Sequence, residues 1–321
     1  MVGSSGQVEA AVQEAVRAGR RIAVRSGGHC FEDFVDNPRV RMVIDLSGMT
    51  GVSYDPLRAA FAVEAGATLG EVYRRLYLGW GVTLPGGSCP GVGAGGHVAG
   101  GGYGPLSRLH GLVEDHLYAV EVVVVDRPGK ARTVVATREP SDPLRDLWWA
   151  HTGGGGGNFG VVTRYWFRSP GVTGDDPARL LPRPPSSVLT FSIQWPWQGL
   201  DQRSFTRLAG NFGAWCAKHA APGTPESRLY GELLLSRRPA GSHTLVGQVA
   251  GGDDGARLLD EHVAALGEGV GVTPVRTQET MPWLASALAG NGDDGKRWRL
   301  KTKAGYLRGM LTDRQLTAAT T

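Results

Sequence analysis

Two pairs of cysteine and histidine residues stand among glycines in this sequence, and both could do chemistry. RSGGHC places His29 beside Cys30, shortly after the apolar run IAV. PGGSC, followed by PGVGAGGH, places Cys89 a short distance before His97. Such residues could form a metal pair, a redox pair or a nucleophile with its base, or they could be ordinary packing. The surrounding sequence has to decide among these alternatives.

Metal binding and nucleophilic catalysis find little support in the neighbouring residues. Adjacent side chains of an extended chain point to opposite sides, so His29 and Cys30 do not easily share one ion. His97 and Cys89 have no further ligand pair at zinc spacing. No local hydrolase signature surrounds either cysteine. We therefore predict no metal site, and we interpret Cys30 as packing.

Glycine is the outlier of the composition, with 49 residues in 321, about twice the ordinary share. The glycines cluster in three tracts, at Arg25–His29, Pro85–Arg108 and His151–Val162. Loops rich in bare backbone amides form concave arrays that bind pyrophosphate. The three tracts together favour a large, flat, polyanionic ligand, and a dinucleotide fits that description.

A Rossmann site is a weaker explanation of the same glycines. Gly91, Gly93 and Gly96 fit the pattern G-x-G-x-x-G. That pattern needs a following helix, and VAGGGYG carries too many glycines for a stable one. A Walker loop is excluded because no G-K-[ST] follows.

The tracts also carry a resemblance to a known family. RSGGH, SCPGVGAGGHVAGGGYG and DLWWAHTGGGGGNFGVVT resemble the nucleotide-binding stretches of the berberine-bridge-enzyme-like FAD-linked oxidases, which have the PCMH, or vanillyl-alcohol-oxidase, type of FAD-binding fold. The resemblance implies a bicovalent FAD, attached through His29 to the flavin 8α-methyl group and through Cys89 to flavin C6. The residue three positions after the flavin-bound cysteine acts as an oxygen gate in this family, so the small Val92 implies an oxidase.

The resemblance implies further cofactor contacts at Arg25, Ser26, Gly27, Gly28, Val92, Gly93, Gly95, Gly96, His97, Gly101, Gly102, Tyr103, Gly104, Gly157, Asn158, Gly160 and Val162.

Three phrases, HCFEDFVDNP, LYLGWGVTLPGG and GGYGPLSR, resemble more narrowly the hexose oxidases of glycopeptide-antibiotic biosynthesis. They imply a small-molecule substrate, a sugar or glycosylated natural product, whose carbinol carbon gives hydride to flavin N5 while O2 becomes H2O2. The alternatives are oxidative cyclisation or C–N oxidation of an alkaloid-like or polyketide-like substrate, or an inactive truncated paralogue. The family's base, a tyrosine near a Y-x-N motif, has no counterpart after Lys303, which leaves Tyr306 as the remaining candidate.

The elements that would position these residues indicate an α+β fold. Leu117–Asp126 is apolar almost throughout and predicts a strand buried on both faces. Thr68 with Glu71 predicts a capping box at the start of a helix. Periodicity and turn signals predict further helices at Gln7–Ala18, Leu69–Leu78, Asp146–Ala150, Phe205–His219 and Ala256–Leu266, and further strands at Arg21–Arg25, Met42–Leu46, Ala60–Glu64, Val82–Leu84, Ala131–Ala136, Phe159–Phe167, Val188–Gln194, Arg228–Leu235 and Lys296–Lys303.

The domain organisation follows from the resemblance and a change in composition. We expect a PCMH-type FAD-binding domain of two subdomains at residues 1–170, a linker rich in proline and glycine at 171–185, and an α+β substrate domain with an antiparallel sheet at 186–321. Compared with the family, the first strand and helix and the C-terminal part are missing. We therefore expect a chain that is truncated at both ends.

Bulk composition excludes some classes of partner. The net charge is +4 and the basic residues are scattered, so we expect no nucleic-acid partner. No apolar stretch is as long as a membrane span and no signal peptide is visible, which favours a cytoplasmic protein without a membrane anchor. Three cysteines argue against a pure disulfide framework. The oligomeric state stays open.

Overall fold

The computed structural model describes residues 1–32, 34–35, 37–289, 305 and 309–318. The chain forms two compact units, one built on Met1–Pro184 and the other on Pro185–Ser286, with short later segments divided between them. Each unit combines helices with β-sheet. The predicted α+β class is thereby confirmed.

A helix and two parallel strands open the first unit. Helix α1 (Ser5–Arg17) begins at Ser4, whose side chain accepts a hydrogen bond from the amide of Gln7. Strands β1 (Ile22–Arg25) and β2 (Met42–Asp45) pair in parallel. Because parallel strands end at the same edge of a sheet, the loops that follow β1 and β2 lie side by side.

The larger sheet of the first unit is antiparallel. Its strands are β3 (Val52–Asp55), β4 (Ala60–Glu64), β5 (Leu117–Val125), β6 (Ala131–Thr137) and β7 (Val161–Phe167). They pair in the order β3-β4-β7-β5-β6. β5 and β7 lie inside this sheet, so most of their apolar side chains are buried, as the sequence predicted. Strand β3 was not predicted because VSYD is short and half polar.

Four helices complete the first unit: α2 (Leu69–Trp80), α3 (Ala94–Ala99), α4 (Ser107–His110) and α5 (Arg145–Trp149). Two features among them bear on the predictions. α2 begins with the predicted capping box. α3 contains two glycines, yet it forms because Ala94, Val98 and Ala99 are buried, and packing outweighs intrinsic propensity in short helices.

The strand predicted at Val82–Leu84 is wrong. These residues are buried, but they join no sheet ladder. Among the backbone hydrogen bonds of the described residues, the amide of Thr83 donates to the carbonyl oxygen of Pro182 at 2.9 Å. The apolar run at these residues therefore indicates that they are buried, but it does not indicate that they pair in a sheet.

The core of the first unit lies between the sheets and helices α1 and α2. It includes Leu180 and Leu181, which belong to the segment 171–185 predicted as a linker. The largest of its fully buried side chains are Phe61, Tyr165, Phe167, Leu46, Met49, Leu76, Leu117 and Leu180.

The second unit packs helices on an antiparallel sheet. Its elements are β8 (Ser187–Pro196), α6 (Gln202–Lys218), β9 (Leu229–Leu234), β10 (Ser242–Ala250), α7 (Gly255–Gly267), β11 (Val275–Pro282), α8 (Trp283–Ala289, which reaches the boundary of the unit) and α9 (Asp313–Ala318). The strands pair in the order β11-β8-β10-β9. Ile193, Trp195, Leu208, Leu245 and Leu259 are fully buried in its core.

The second unit was predicted less completely than the first. Strands β8 and β9 and helices α6 and α7 correspond to predicted elements, whereas β10 and β11 were not predicted. β11 is exposed over nearly its whole length, and its sequence has no alternation of apolar and polar residues. It is a strand because it pairs with β8. The predicted strand Lys296–Lys303 and the candidate Tyr306 lie outside the described residues.

Two leucines of helix α2 test how this core is anchored. Leu76 is fully buried, whereas Leu78 is 68% exposed. We expect Leu76→Ala to lower the free energy of unfolding by about 2–5 kcal/mol, because it leaves a cavity. Leu78→Ala should change it by less than about 0.5 kcal/mol. Urea denaturation followed by tryptophan fluorescence measures both values, and equal losses would contradict the packing described here.

Candidate flavin site

The first glycine tract is held by the strand ends around it. The amide of Leu46 donates to the carbonyl oxygen of Arg25 at 2.8 Å, and the Arg25 guanidinium pairs with Asp45 at 3.1 Å. The hydroxyl of Ser26 donates to the carbonyl oxygen of Ala65 at 2.6 Å. Ser26 and Arg25 therefore fix the conformation of this turn from within.

The first and second tracts touch backbone to backbone. A β-carbon on Gly93 would lie 2.0 Å from Ser26 Oγ and 2.2 Å from the amide nitrogen of Gly27. A β-carbon on Gly27 would lie 2.3 Å from the amide nitrogen of Gly93 and 2.6 Å from the carbonyl oxygen of Gly91. No other residue fits at either position. Gly27 and Gly93 are thus required for the approach of the two loops.

This contact brings His29 and Cys89 to the same place. A β-carbon on Gly91 would lie 3.1 Å from His29 Nε2, so the imidazole packs against the loop that carries Cys89. The amide of Val92 donates to the carbonyl oxygen of Cys89 at 3.2 Å, which closes a tight turn. His29 is exposed and Cys89 is half-buried. The His29 imidazole therefore lies against the loop that carries Cys89.

The start of helix α2 anchors the cysteine loop. The amides of Leu69 and Gly70 donate to the carbonyl oxygens of Val92 and Pro90, at 2.8 and 2.9 Å. The amides of a first helical turn have no partner inside the helix, so these loop carbonyls satisfy them. The loop around Cys89 is thereby fixed to a rigid element.

His97 holds the loop before Cys89 and is not free for catalysis. Its Nε2 accepts a hydrogen bond from the amide of Gly87 at 3.1 Å, and the Tyr73 hydroxyl donates to the Gly87 carbonyl at 2.6 Å. Burial lowers the pKa of His97 to about 4 and raises the pKa of Tyr73. Both groups are therefore neutral at neutral pH, and the structure places predicted residue His97 as an acceptor for the backbone.

The third tract packs against the second. Gly153, Gly155 and Gly157 have φ values of 98°, 105° and 78°, which suit glycine. The amide of Gly155 donates to the carbonyl oxygen of Ala99 at 2.8 Å, at the end of helix α3. A β-carbon on Gly153 would lie 3.2 Å from the α-carbon of Gly101. All three tracts are therefore connected through the second.

The remaining predicted cofactor residues fall into two groups. Gly102 and Gly104 are buried, and a β-carbon on Gly104 would lie 1.8 Å from the carbonyl oxygen of Gly86, so these glycines allow the backbone to pack closely. The residues of the second group are at least partly accessible to solvent. They are Gly28, Gly95, Gly96, Gly101, Tyr103, Gly157, Asn158, Gly160 and Val162.

Two residues of this region were not predicted. Tyr73 lies on helix α2, where it looked like an ordinary core residue. Glu114 is buried beside Gly101 and Gly153. An acidic residue just before the most apolar strand of the chain was the available signal for Glu114, since carboxylates are seldom fully buried unless paired.

The arrangement fits a dinucleotide better than the rival chemistries. Three loops of bare backbone converge, and at Gly27, Gly93 and Gly104 a β-carbon would collide with neighbouring backbone. In the part of the chain that the structure describes, no three His, Cys, Asp or Glu side chains come together as metal ligands. Cys30 is exposed, and its thiol donates to the carbonyl oxygen of Glu32.

The described helices also bear on membrane association. None of the described helices has both the length and the apolar composition that a bilayer span requires.

Several known proteins are similar to this chain in sequence and fold. Residues 1–133 match the family described as FAD binding domain. The chain is 57% identical over 316 residues to the aclacinomycin-N/aclacinomycin-A oxidase of Streptomyces galilaeus, covering 98% of this chain and 58% of that protein. It is 41% identical over 190 residues to the hexose oxidase of Chondrus crispus, covering 58% of this chain and 32% of that protein. A solved glycopeptide hexose oxidase complexed with teicoplanin matches with a TM-score of 0.92 and 53% identity, covering 99% of this chain and 64% of that one.

The fold and the glycine tracts define a PCMH-type FAD-binding protein, as the sequence predicted. The chain is similar in sequence and fold to FAD-linked oxidases of the berberine-bridge-enzyme-like kind. It spans 58% of the length of the aclacinomycin oxidase and 64% of the length of the glycopeptide hexose oxidase.

Two glycines test the contact between the first two tracts. Gly93→Ala places a methyl group on the backbone of Gly27, so we expect it to lower the melting temperature and to separate the loops. Gly79→Ala is the matched control in helix α2, where a β-carbon meets nothing within 4 Å. It should stabilise the protein by about 0.5–1 kcal/mol. Thermal unfolding followed by circular dichroism measures both; a Gly93→Ala protein as stable as the control would show that the loops do not touch.

His97 predicts a dependence of stability on pH. Its pKa is about 4 in the folded chain and near 6.5 when unperturbed, so the unfolded chain binds more protons between these values. The free energy of unfolding should therefore fall as pH drops from 6.5 to 4. His97→Gln keeps an acceptor for Gly87 and cannot titrate, so this decline should be smaller in the variant. Urea denaturation at several pH values measures the difference, and identical declines would contradict the assignment.

Proposed function

We propose that this chain is the flavin-holding part of an oxidase that acts on a sugar or glycosylated natural product. The observation that carries the proposal is the meeting of His29 and the Cys89 loop at Gly91, where the first two tracts are in backbone contact. Side chains that bond to the two edges of one ring system must lie on one surface. The contact of His29 with Gly91, two residues after Cys89, supports such a placement.

The proposal includes two covalent bonds to FAD. His29 would hold the flavin through a bond from an imidazole nitrogen to the 8α carbon, and Cys89 would hold it through a bond from Sγ to C6. Each bond would replace a flavin C–H bond and the N–H or S–H bond of the side chain, and O2 would accept the two electrons and two protons released, giving H2O2. A flavin held at both edges cannot tilt or leave, so the site can remain open to a bulky substrate.

The backbone and small side chains supply the rest of the site. Amides of the three tracts would hold the pyrophosphate and the nucleotide without contributing charged side chains. When bound, FAD would accept hydride at N5 from the carbinol carbon of the substrate and pass the two electrons to O2, giving H2O2. The small Val92, half-buried in the turn after Cys89, would be the residue that admits O2. The base that takes the hydroxyl proton is not assigned.

The relatives support the substrate class. One is named as an oxidase of aclacinomycins and another as a hexose oxidase. A third was solved as a glycopeptide hexose oxidase with teicoplanin. Two of these names print a hexose as the substrate, and we therefore propose an alcohol carbon of a sugar, free or attached to a larger product, as the substrate of this chain.

Mass spectrometry of the intact chain and its peptides tests the covalent flavin. The wild-type protein, made in cells supplied with riboflavin, should stay yellow after acid denaturation, with an FAD adduct on the peptides of His29 and Cys89. Single changes His29→Ala and Cys89→Ala should each retain one bond, and the double change should release all colour. Cys30→Ala is the matched control, because Cys30 is adjacent to His29 and should leave both bonds intact. A wild-type chain without an adduct at either residue would overturn the bicovalent proposal.

Peroxide release tests the reaction class. The yellow protein is incubated with hexoses, oligosaccharides and glycosylated aromatic polyketides, and H2O2 is measured with a coupled peroxidase assay. Release with at least one glycoside and consumption of O2 in equal amount are the expected result. Flavin reduction by a sugar without peroxide would indicate a dehydrogenase instead.

A further inference from the structure

A carboxyl group lies buried at the junction of the second and third glycine tracts. Glu114 lies in a short 3-10 helix, Val113–His116, directly before strand β5, and it is only 8% exposed. In the described part of the chain its Oε2 is buried without a hydrogen-bond partner. No described arginine, lysine or histidine forms an ion pair with it. A lone carboxylate in such a place is costly unless it is protonated.

The other carboxyl oxygen, Oε1, touches both tracts. It would lie 3.0 Å from a β-carbon on Gly153 and 3.3 Å from one on Gly101. The amide of Gly102 donates to the same carboxyl group, and the carbonyl oxygen of Gly102 accepts from the amide of Val113 at 2.9 Å. Glu114 therefore spans the gap that separates the second tract from the third.

The charge state of Glu114 follows from its surroundings. Burial raises its pKa, hydrogen bonds from its own amide and from Gly102 lower it, and the neighbouring Asp115 carboxylate raises it further. Across Gly102 lies the ring of His97, which is neutral at neutral pH, and the third tract presents only the backbone of Gly153.

We propose that Glu114 is a positioning residue whose buried carboxyl group fixes the spacing of the second and third glycine tracts, and that its ionisation loosens the nucleotide site between them. The group acts through the backbone of Gly101, Gly102 and Gly153. This inference rests on the proposed binding of FAD for its functional meaning, but the junction itself exists in the chain without a cofactor.

The pH dependence has a definite sign. A carboxyl group whose pKa is raised on folding contributes stability that is fully present below its ordinary pKa of 4.5. That contribution is lost as pH rises through the raised value. Ionisation at higher pH places an uncompensated charge against Gly101 and Gly153, so the junction opens and FAD binds less tightly.

FAD titration of a variant without covalent anchors tests this role. The full chain with His29→Ala and Cys89→Ala is titrated with FAD from pH 5 to 9, and flavin fluorescence reports the dissociation constant. Affinity should fall with rising pH, by up to about tenfold per unit once the carboxyl group ionises. Adding Glu114→Gln, which keeps the shape and stays neutral, should remove that dependence and keep tight binding. Glu114→Ala should weaken binding at every pH.

Hydrogen exchange separates this inference from the proposed function. Protection of the amides at 153–157, corrected for intrinsic exchange, should fall with pH in the chain without flavin and remain constant in Glu114→Gln. Glu139→Gln is the matched control, since this exposed acid on the same unit should change neither readout. A Glu114→Gln protein with the same pH dependence as its parent would overturn the positioning role. Absence of FAD binding at every pH, with normal exchange behaviour, would overturn only the proposed function.

Discussion

The structure of the first unit depends on a close approach of two backbones, at Gly27 and Gly93. Neither position has room for a β-carbon, because each faces the amide of the other. This contact sets the distance between the turn that carries His29 and the turn that carries Cys89. It brings the His29 imidazole, from one end of the first unit's sequence, against Gly91 in the loop that carries Cys89.

Buried polar side chains keep these backbones in place. His97 and Tyr73 bind the amide and the carbonyl of Gly87, and Glu114 lies against Gly101 and Gly153. In a buried environment a charge is costly while a satisfied neutral hydrogen bond is not. His97 and Tyr73, which are neutral at neutral pH, therefore support the second glycine tract without a charge.

The two units reach an α+β architecture by different means. In the first, two helices and two sheets enclose a core to which a segment rich in proline and glycine adds Leu180 and Leu181. In the second, helices α6 and α7 cover an antiparallel sheet whose edge strand β11 is almost fully exposed. Buried aromatic side chains are central to both cores, with Phe61 and Tyr165 in one and Trp195 in the other.

The family resemblance predicts His29 and Cys89 as the two flavin anchors. The sequence by itself determined the glycine tracts, the capping box at Thr68 and the apolar strand β5. These depend on residue type and short spacing, which are local properties. The tertiary structure decided that Gly93 and Gly104 serve backbone packing, that His97 is an acceptor for Gly87, and that Glu114 is buried. Each of these outcomes depends on a contact between segments distant in the chain, and such a contact leaves no periodic signal in the sequence. The same reason explains why β11 was missed: its pairing with β8 defines it, and its own residues lack an apolar alternation.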